Sequence, residues 1–446
     1  LVSLHSHEKA VSDPSFASRK NNPIALYPGQ KKSPIKYWVF ITKENRTFDE
    51  IFGQMNTVRG DNSLARFGLD VNVYGQKDFV KNVNVSPNHI KIAKQFSLSD
   101  NFYCDSDASI HGHHWMMGVI PNEWVETNSS TAKTADYFSS APGRRFPGST
   151  GSMDPEDYAE IGGLWEALDR KKISYYNFGQ ANETAHVRED WNDTATGAAH
   201  IVMVPMQKGV WKKTSHNFAG YNTNIPDQFR MKQFEEEFTK KWLNGKDSMP
   251  QLITMMLPND HTAGPRPEDG YPFTASYVAD NDLAVGMLID HLSKSPIWKE
   301  SAVFILEDDA QNGPDHVDAH RSTAYLISPY VKRNYVDHTM YTTSGMLPSS
   351  FFFHQAAEIG LNPSQFLSYI IRTSLEERQR QQDREGGRRQ RAHQARGRVF
   401  GHRLRALPRP RVDTHGTTQL LDLFVNHVHA QATAGNLRDL LGGRET

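Results

Sequence analysis

The chain has a single cysteine, Cys104, in 446 residues. It can close no internal disulfide and build no cysteine-rich zinc cluster. It lacks any run of about 18 apolar residues, the length a membrane-crossing helix needs. It also lacks an excess of either charge: 50 Lys and Arg stand against 51 Asp and Glu, a net charge of −1. That balance points to neither nucleic acid nor an anionic membrane as partner. No internal repeat is visible. No hydrophobic signal core lies in the polar stretch Leu1 to Gln30, and the chain opens on Leu, so a removed export signal stays open.

The apolar share of 37% and charged share of 23% suit a soluble body with a sizeable core. The length allows one large α/β domain or two ordinary ones. Composition divides the chain into a Ser-, Lys-, Asn- and Pro-rich leader or linker over 1–34, a body over 35–370, and an arginine-rich tail over 371–446. After Lys332 there is no further lysine, and arginine and glutamine dominate from Arg372 to Arg411. Three readings of this end stay open: a disordered tail, a lone solvated helix, or sequence out of its native frame. A basic run can bind nucleic acid, but a solvated charged face explains it more simply, so no nucleic-acid partner is expected.

Within the body, short continuous apolar runs read as buried parallel strands: Tyr37 to Thr42, Leu252 to Leu257, Ala302 to Leu306 and Thr323 to Ile327, with a weaker run from Ile173 to Phe178. Helical patterns lie between them, over Gly163 to Arg170 and Asp280 to Leu292. In the second, Leu283, Met287 and Leu288 form the apolar face, and Asp280 or Asn281 suits the cap. The alternation predicts an α/β fold with a mostly parallel sheet covered by helices on both faces. Loop-rich stretches near 124–160 and 205–230 are expected to shape a substrate site.

The residues just past the strand ends carry the chemistry. The first strand leads into Glu44, Asn45 and Asp49, the second into Asn259, Asp260 and His261, and the third into Asp308, Asp309, Asp315, His316 and His320. In open α/β sheets the ligand crevice lies outside the carboxyl ends of the strands. Carboxylate, amide and imidazole groups gathered there are metal-ligand chemistry. A divalent ion at such a site polarises a phosphoryl oxygen and favours an attacking hydroxyl. Adjacent Asp308 and Asp309 repel when ionised, and a cation removes that penalty. Each group also has a structural explanation: Glu44 and Asn45 as caps of a helix starting near Arg46, Asp260–His261 and Asp308–Asp309 as turns. Three such groups at equivalent strand ends favour a site.

At these residues the sequence resembles the phosphoesterase family of the alkaline phosphatase superfamily, which includes phospholipases C and acid phosphatases. The stretch Lys43-Glu44-Asn45-Arg46-Thr47-Phe48-Asp49 is similar to its Glu-Asn-Arg-Ser/Thr-Phe/Tyr-Asp signature. Leu257 to Gly264 and Glu307 to Arg321 are similar to stretches of a branch often fused to a β-propeller. The likeness runs from about Lys36 to Leu347. It implies Glu44, Asn45, Asp308 and Asp309 as metal ligands, and His261 and His316 as histidines of the reaction. It implies Ser109 as nucleophile, with Ser106 as an alternative, and His113 in contact with metal or phosphate. Ile110, His111 and His114 depart from the branch pattern, no propeller precedes the domain, and Ser364-Gln365-Phe366 only echoes a later motif.

The function expected is therefore a metal-dependent hydrolase of phosphate esters, a phosphatase or a phospholipase C-like phosphodiesterase acting outside the cytoplasm. Phospholipid is one candidate substrate. The alternative is a surface or binding protein that keeps the fold and has lost activity. The metal stays open: an oxygen-rich set suits Ca, Mn or Mg, while His261 and His316 admit Zn or Fe. A sulfatase is disfavoured, because Cys104-Asp105-Ser106-Asp107-Ala108 lacks the Pro and Arg of the Cys/Ser-x-Pro-x-Arg pattern.

Overall fold

The computed structural model describes residues 34–75, 79–118, 163–180, 208–310 and 313–346. Residues 1–33 of the leader, the whole of the loop 124–160 and the arginine-rich tail lie outside them. Ten strands and seven α-helices are seen among the described residues. In chain order they are β1 (Tyr37–Lys43), α1 (Phe48–Phe52), β2 (Val71–Tyr74), β3 (Phe79–Val83), α2 (Pro87–Gln95), β4 (Ser97–Tyr103), α3 (Ser109–Gly118), α4 (Leu164–Arg170) and β5 (Tyr175–Phe178). After these come α5 (Lys208–Trp211), α6 (Asp227–Phe238), β6 (Leu252–Leu257), α7 (Thr274–Lys294), β7 (Ser301–Glu307), β8 (Arg321–Ile327), β9 (Tyr335–Asp337) and β10 (Tyr341–Thr342).

Eight strands form one mixed, mostly parallel sheet in the order β10-β4-β8-β7-β1-β6-β5, with β9 also on β4. The fold is α/β, as the alternation of strands and helices predicts. β1 sits between β7 and β6, parallel to both. Only β8 runs against its neighbours β4 and β7. Among its described residues the connection from β7 to β8 carries no crossover helix, and strands so joined pair antiparallel.

Alternation along β1 shows why both faces are covered. Val39 and Ile41 join the core containing α2, α6 and α7. Trp38 and Phe40 join the other, with Met116 of α3 and Leu164, Trp165 and Leu168 of α4. Successive strand side chains point to opposite faces, so a strand apolar throughout needs helices on both.

Two helix starts differ from expectation. α7 begins at Thr274, and Asp280 lies inside it. Instead of capping its own helix, Asp280 accepts from Asp227 N at 2.7 Å and so caps α6. Leu283 is 43% exposed; the buried stripe runs through Tyr277, Val278, Ala284, Val285, Leu288 and Leu292. Asp280 to Leu292 is too short a window to fix the phase of a helix that starts a turn and a half earlier. Likewise Thr47, not Glu44 or Asn45, caps α1, in a capping box with Glu50. That leaves Glu44 and Asn45 outside the helix for other work.

Candidate active site

The register of the central strands brings the site together. Lys43 lies opposite Leu257 of β6 and Glu307 of β7. The next residues, Glu44, Pro258 and Asp308, therefore leave the sheet side by side. β5 is parallel to β6, so Gln180 emerges at the same edge. β4 lies one antiparallel strand beyond β7 and so ends there too, leading into α3.

At this edge Glu44 Oε1 lies 2.9 Å from His113 Nε2, and Asp308 Oδ2 lies 3.3 Å from the same nitrogen. One ligand atom from each of Glu44, His113 and Asp308 falls within 4.8 Å of the others. All three are buried, as are Asn45 and Asp309 beside them. Burial pushes the Glu44 carboxyl up to about 8; His261 pulls it down, and Asp309 and Asp260 push it up. Asp308 is held well above the usual carboxylate range by burial, then by Asp309 and Glu44. Burial pushes the His113 imidazole down to about 4. The group is therefore short of positive charge. Asp308 Oδ2 is buried and has no hydrogen-bond partner among the described residues. Mixed carboxylate and imidazole donors, an orphaned carboxylate oxygen and uncompensated acids fit a divalent cation.

Ser109 and His113 share one face of α3, one turn apart. Ser109 Oγ donates to Asn45 Oδ1 at 2.9 Å. Asn45 has φ +66°, a left-handed conformation asparagine tolerates better than most residues, and its N–H donates to Asp308 Oδ1 at 3.3 Å. The helix reaches this position because Gly112 faces the end of β7. A Cβ there would sit 2.3 Å from the Asp308 carbonyl oxygen. Ser106, the alternative nucleophile, donates instead to Ala108 O at 2.6 Å.

Behind this layer, Lys43 Nζ lies 2.9 Å from Asp260 Oδ2 and 2.7 Å from Glu307 Oε1, all buried. Burial works to lower the Lys43 pKa, but Asp260 and Glu307 outweigh it and hold the ammonium charged. The other oxygen of Asp260 accepts from Glu44 N at 3.0 Å, so this ion group fixes the backbone of a candidate ligand. A second support lies under His261. Asp227 and Asp280 accept from Asn259 N and Nδ2 at 2.9 and 2.8 Å and set the turn that carries the histidine. His261 is half-buried, its ring edge-on to Tyr221, and its Nδ1 donates to Thr262 O at 3.0 Å.

His316 stands apart from this group. Its Nδ1 lies 2.5 Å from Asp49 Oδ2, and Asp49 also accepts from the buried Arg321 at 2.9 Å. Arg321 in turn meets Asp315 at 2.9 Å. These residues tie α1 to the loop returning toward β8. Cys104 is buried, and burial pushes its thiol well up, so it is not a poised nucleophile.

A sequence model of the Phosphoesterase family matches residues 35–142. That stretch holds Glu44, Asn45, Ser109 and His113. No curated protein matches the chain. Among solved structures it is similar to a protein of the alkaline phosphatase superfamily from Vibrio parahaemolyticus. The identity is 12%, over 76% of this chain and 70% of the other, with a TM-score of 0.43. It is also similar to murine ectonucleotide pyrophosphatase/phosphodiesterase 5, at 14% identity over 61% of this chain and 56% of that one, with a TM-score of 0.31. Among the described residues no helix is long and apolar enough to cross a membrane.

Proposed function

We propose that the chain is a metal-dependent hydrolase of phosphate esters in which Ser109 is the nucleophile. The observation that carries this is the Ser109 hydroxyl, bonded to Asn45 beside the buried Glu44, His113 and Asp308 group. A divalent cation held by Glu44, His113 and Asp308, with Asn45 and Asp309 adjoining, would supply the charge that polarises a phosphoryl oxygen and acidifies a hydroxyl. Asn45 accepts from Ser109 Oγ and holds that oxygen at the edge of the group. Burial keeps water from competing and strengthens each electrostatic contact. His261, at the half-open rim, is suited to give a proton to the departing alcohol. His316 has no such position, and its part in the reaction rests on the family resemblance alone. A phosphatase or phospholipase C-like specificity, phospholipid as one substrate, and an extracytoplasmic location belong to the same proposal.

The test is release of p-nitrophenol from the mono- and bis-p-nitrophenyl phosphates across divalent metals, with Ser109→Ala and Asp308→Ala beside the parent chain. Turnover that needs metal and is lost by about a thousandfold or more in each variant is the expected result. Tight cation binding without turnover would replace the proposal with that of a binding protein that keeps the site.

A further inference from the structure

Gln180 is the first residue past the turn that ends β5, where Gly179 takes φ +80°. Its side chain is sealed in the interior. Asn177 Nδ2 donates to its carbonyl at 2.7 Å and fixes the backbone beneath it. Its amide nitrogen lies 2.9 Å from His113 Nδ1, while its own Oε1 is buried with no partner among the described residues.

These contacts constrain which ring nitrogen carries the proton. With the amide nitrogen facing Nδ1, that ring atom accepts, so a neutral His113 carries its proton on Nε2, toward Glu44 and Asp308. That N–H bonds Glu44 Oε1 at 2.9 Å, while Asp308 Oδ2 lies 3.3 Å away without a hydrogen bond. A cation held by Glu44, His113 and Asp308 needs the Nε2 lone pair, so the proton must sit on Nδ1, which then needs an acceptor. Rotating the Gln180 amide by about 180° supplies it, placing Oε1 on Nδ1–H and relieving the orphaned oxygen.

We propose that Gln180 is a positioning residue that sets the His113 tautomer, its amide donating to Nδ1 in the cation-free protein and accepting from Nδ1–H in the loaded one. The imidazole stays neutral throughout: one proton leaves Nε2 and one arrives at Nδ1, exchanged through solvent. The proposal rests on the metal-binding reading for its loaded state, while its cation-free state is tested independently. A hydrogen-bonded partner on the far nitrogen of a ligating histidine typically adds 10- to 100-fold in metal affinity.

The experiment labels histidine with 15N and reads the His113 ring nitrogens in the full chain, with Mn left out and Zn or Mg titrated by calorimetry. In chelated parent protein His113 should show the Nε2–H pattern. Gln180→Glu, whose carboxylate only accepts once ionised, should move it to Nδ1–H at pH 9 without any metal, whether or not the chain binds cations. Gln180→Met should weaken cation binding by about 10- to 100-fold, with its circular dichroism and melting profile showing an intact fold. An unchanged His113 tautomer in Gln180→Glu overturns the proposal on its own. Parent-like cation affinity in Gln180→Met overturns the role in binding. Absence of cation binding by the parent chain would remove the loaded state, and with it the switch, through failure of the metal reading.

Discussion

Replacing Lys43 by methionine removes one ammonium and leaves two buried carboxylates facing each other. Lys43 bonds Asp260 and Glu307 at 2.9 and 2.7 Å with essentially no solvent access to any of the three. Breaking such a buried ion group by deleting one partner costs about 3–5 kcal/mol, because the remaining charge is uncompensated. For a body of this size that corresponds to a fall in Tm of roughly 5–8 °C. The loss should shrink as pH falls, since Glu307, already pushed up to about 8 by burial and Asp260 against the pull of Lys43, takes up a proton. Lys36→Met is the matched control. It removes a lysine at the other end of β1 whose partner Glu300 lies at the solvent-exposed start of β7, and it should leave Tm unchanged. The assay is reversible melting followed by circular dichroism at pH 5.5 and pH 8. If Lys43→Met melted like the parent at pH 8, the view of this group as the anchor of the central strand ends would be refuted.

Chelated protein should lose stability as pH rises from about 4.5 to about 8. Glu44 is held at about 8 in the folded chain against an ordinary 4.5, so the stability it adds at low pH drains across that window; a Tm flat over this range would contradict the buried-acid reading. Asp227, pushed up to about 7 by burial, adds in the same direction, and a saturating divalent cation should remove the part due to Glu44. Gly112→Ala should cut turnover at least tenfold and lower Tm, because its Cβ meets the buried Asp308 carbonyl and must push α3 off the site; parent-like kinetics would show that the helix can give way. Arg321→Met should destabilise by about 3–5 kcal/mol by stranding buried Asp49, checked by urea melts, and would leave the cation affinity of the Glu44 group unchanged.

The strands with continuous apolar runs were legible because burial on both faces demands such runs: Tyr37 to Thr42, Leu252 to Leu257, Ala302 to Leu306 and Thr323 to Ile327 lie within β1, β6, β7 and β8. β4 was not, since Ser97-Leu98-Ser99-Asp100-Asn101-Phe102-Tyr103 mixes polar with apolar residues. Its Asp100 is buried, accepting from Arg59 N at 2.9 Å and meeting His338 at 2.8 Å, contacts that only the fold creates. The direction of β8 was equally hidden, because it is set by the connection and not by the strand's own residues. In the site, strand-end clustering pointed to Glu44, Asn45, Asp308 and His261 as neighbours. It gave no sign that His316 would be drawn off to Asp49. Lys43 and Gln180 carried no motif. The available signal was their position, a polar side chain at or just past the end of a buried strand, where water cannot reach and a partner must be supplied.

The seating of α3 against Asp308 has a mechanical consequence. Ser109 and His113 sit on the same face of one helix, and the missing side chain of Gly112 lets that face close on the end of β7. A rigid-body shift of this helix cannot engage one residue without the other. On the proposed reading, capture of a cation and alignment of the Ser109 hydroxyl would be geared to a single displacement, so a variant that binds metal poorly would also aim poorly.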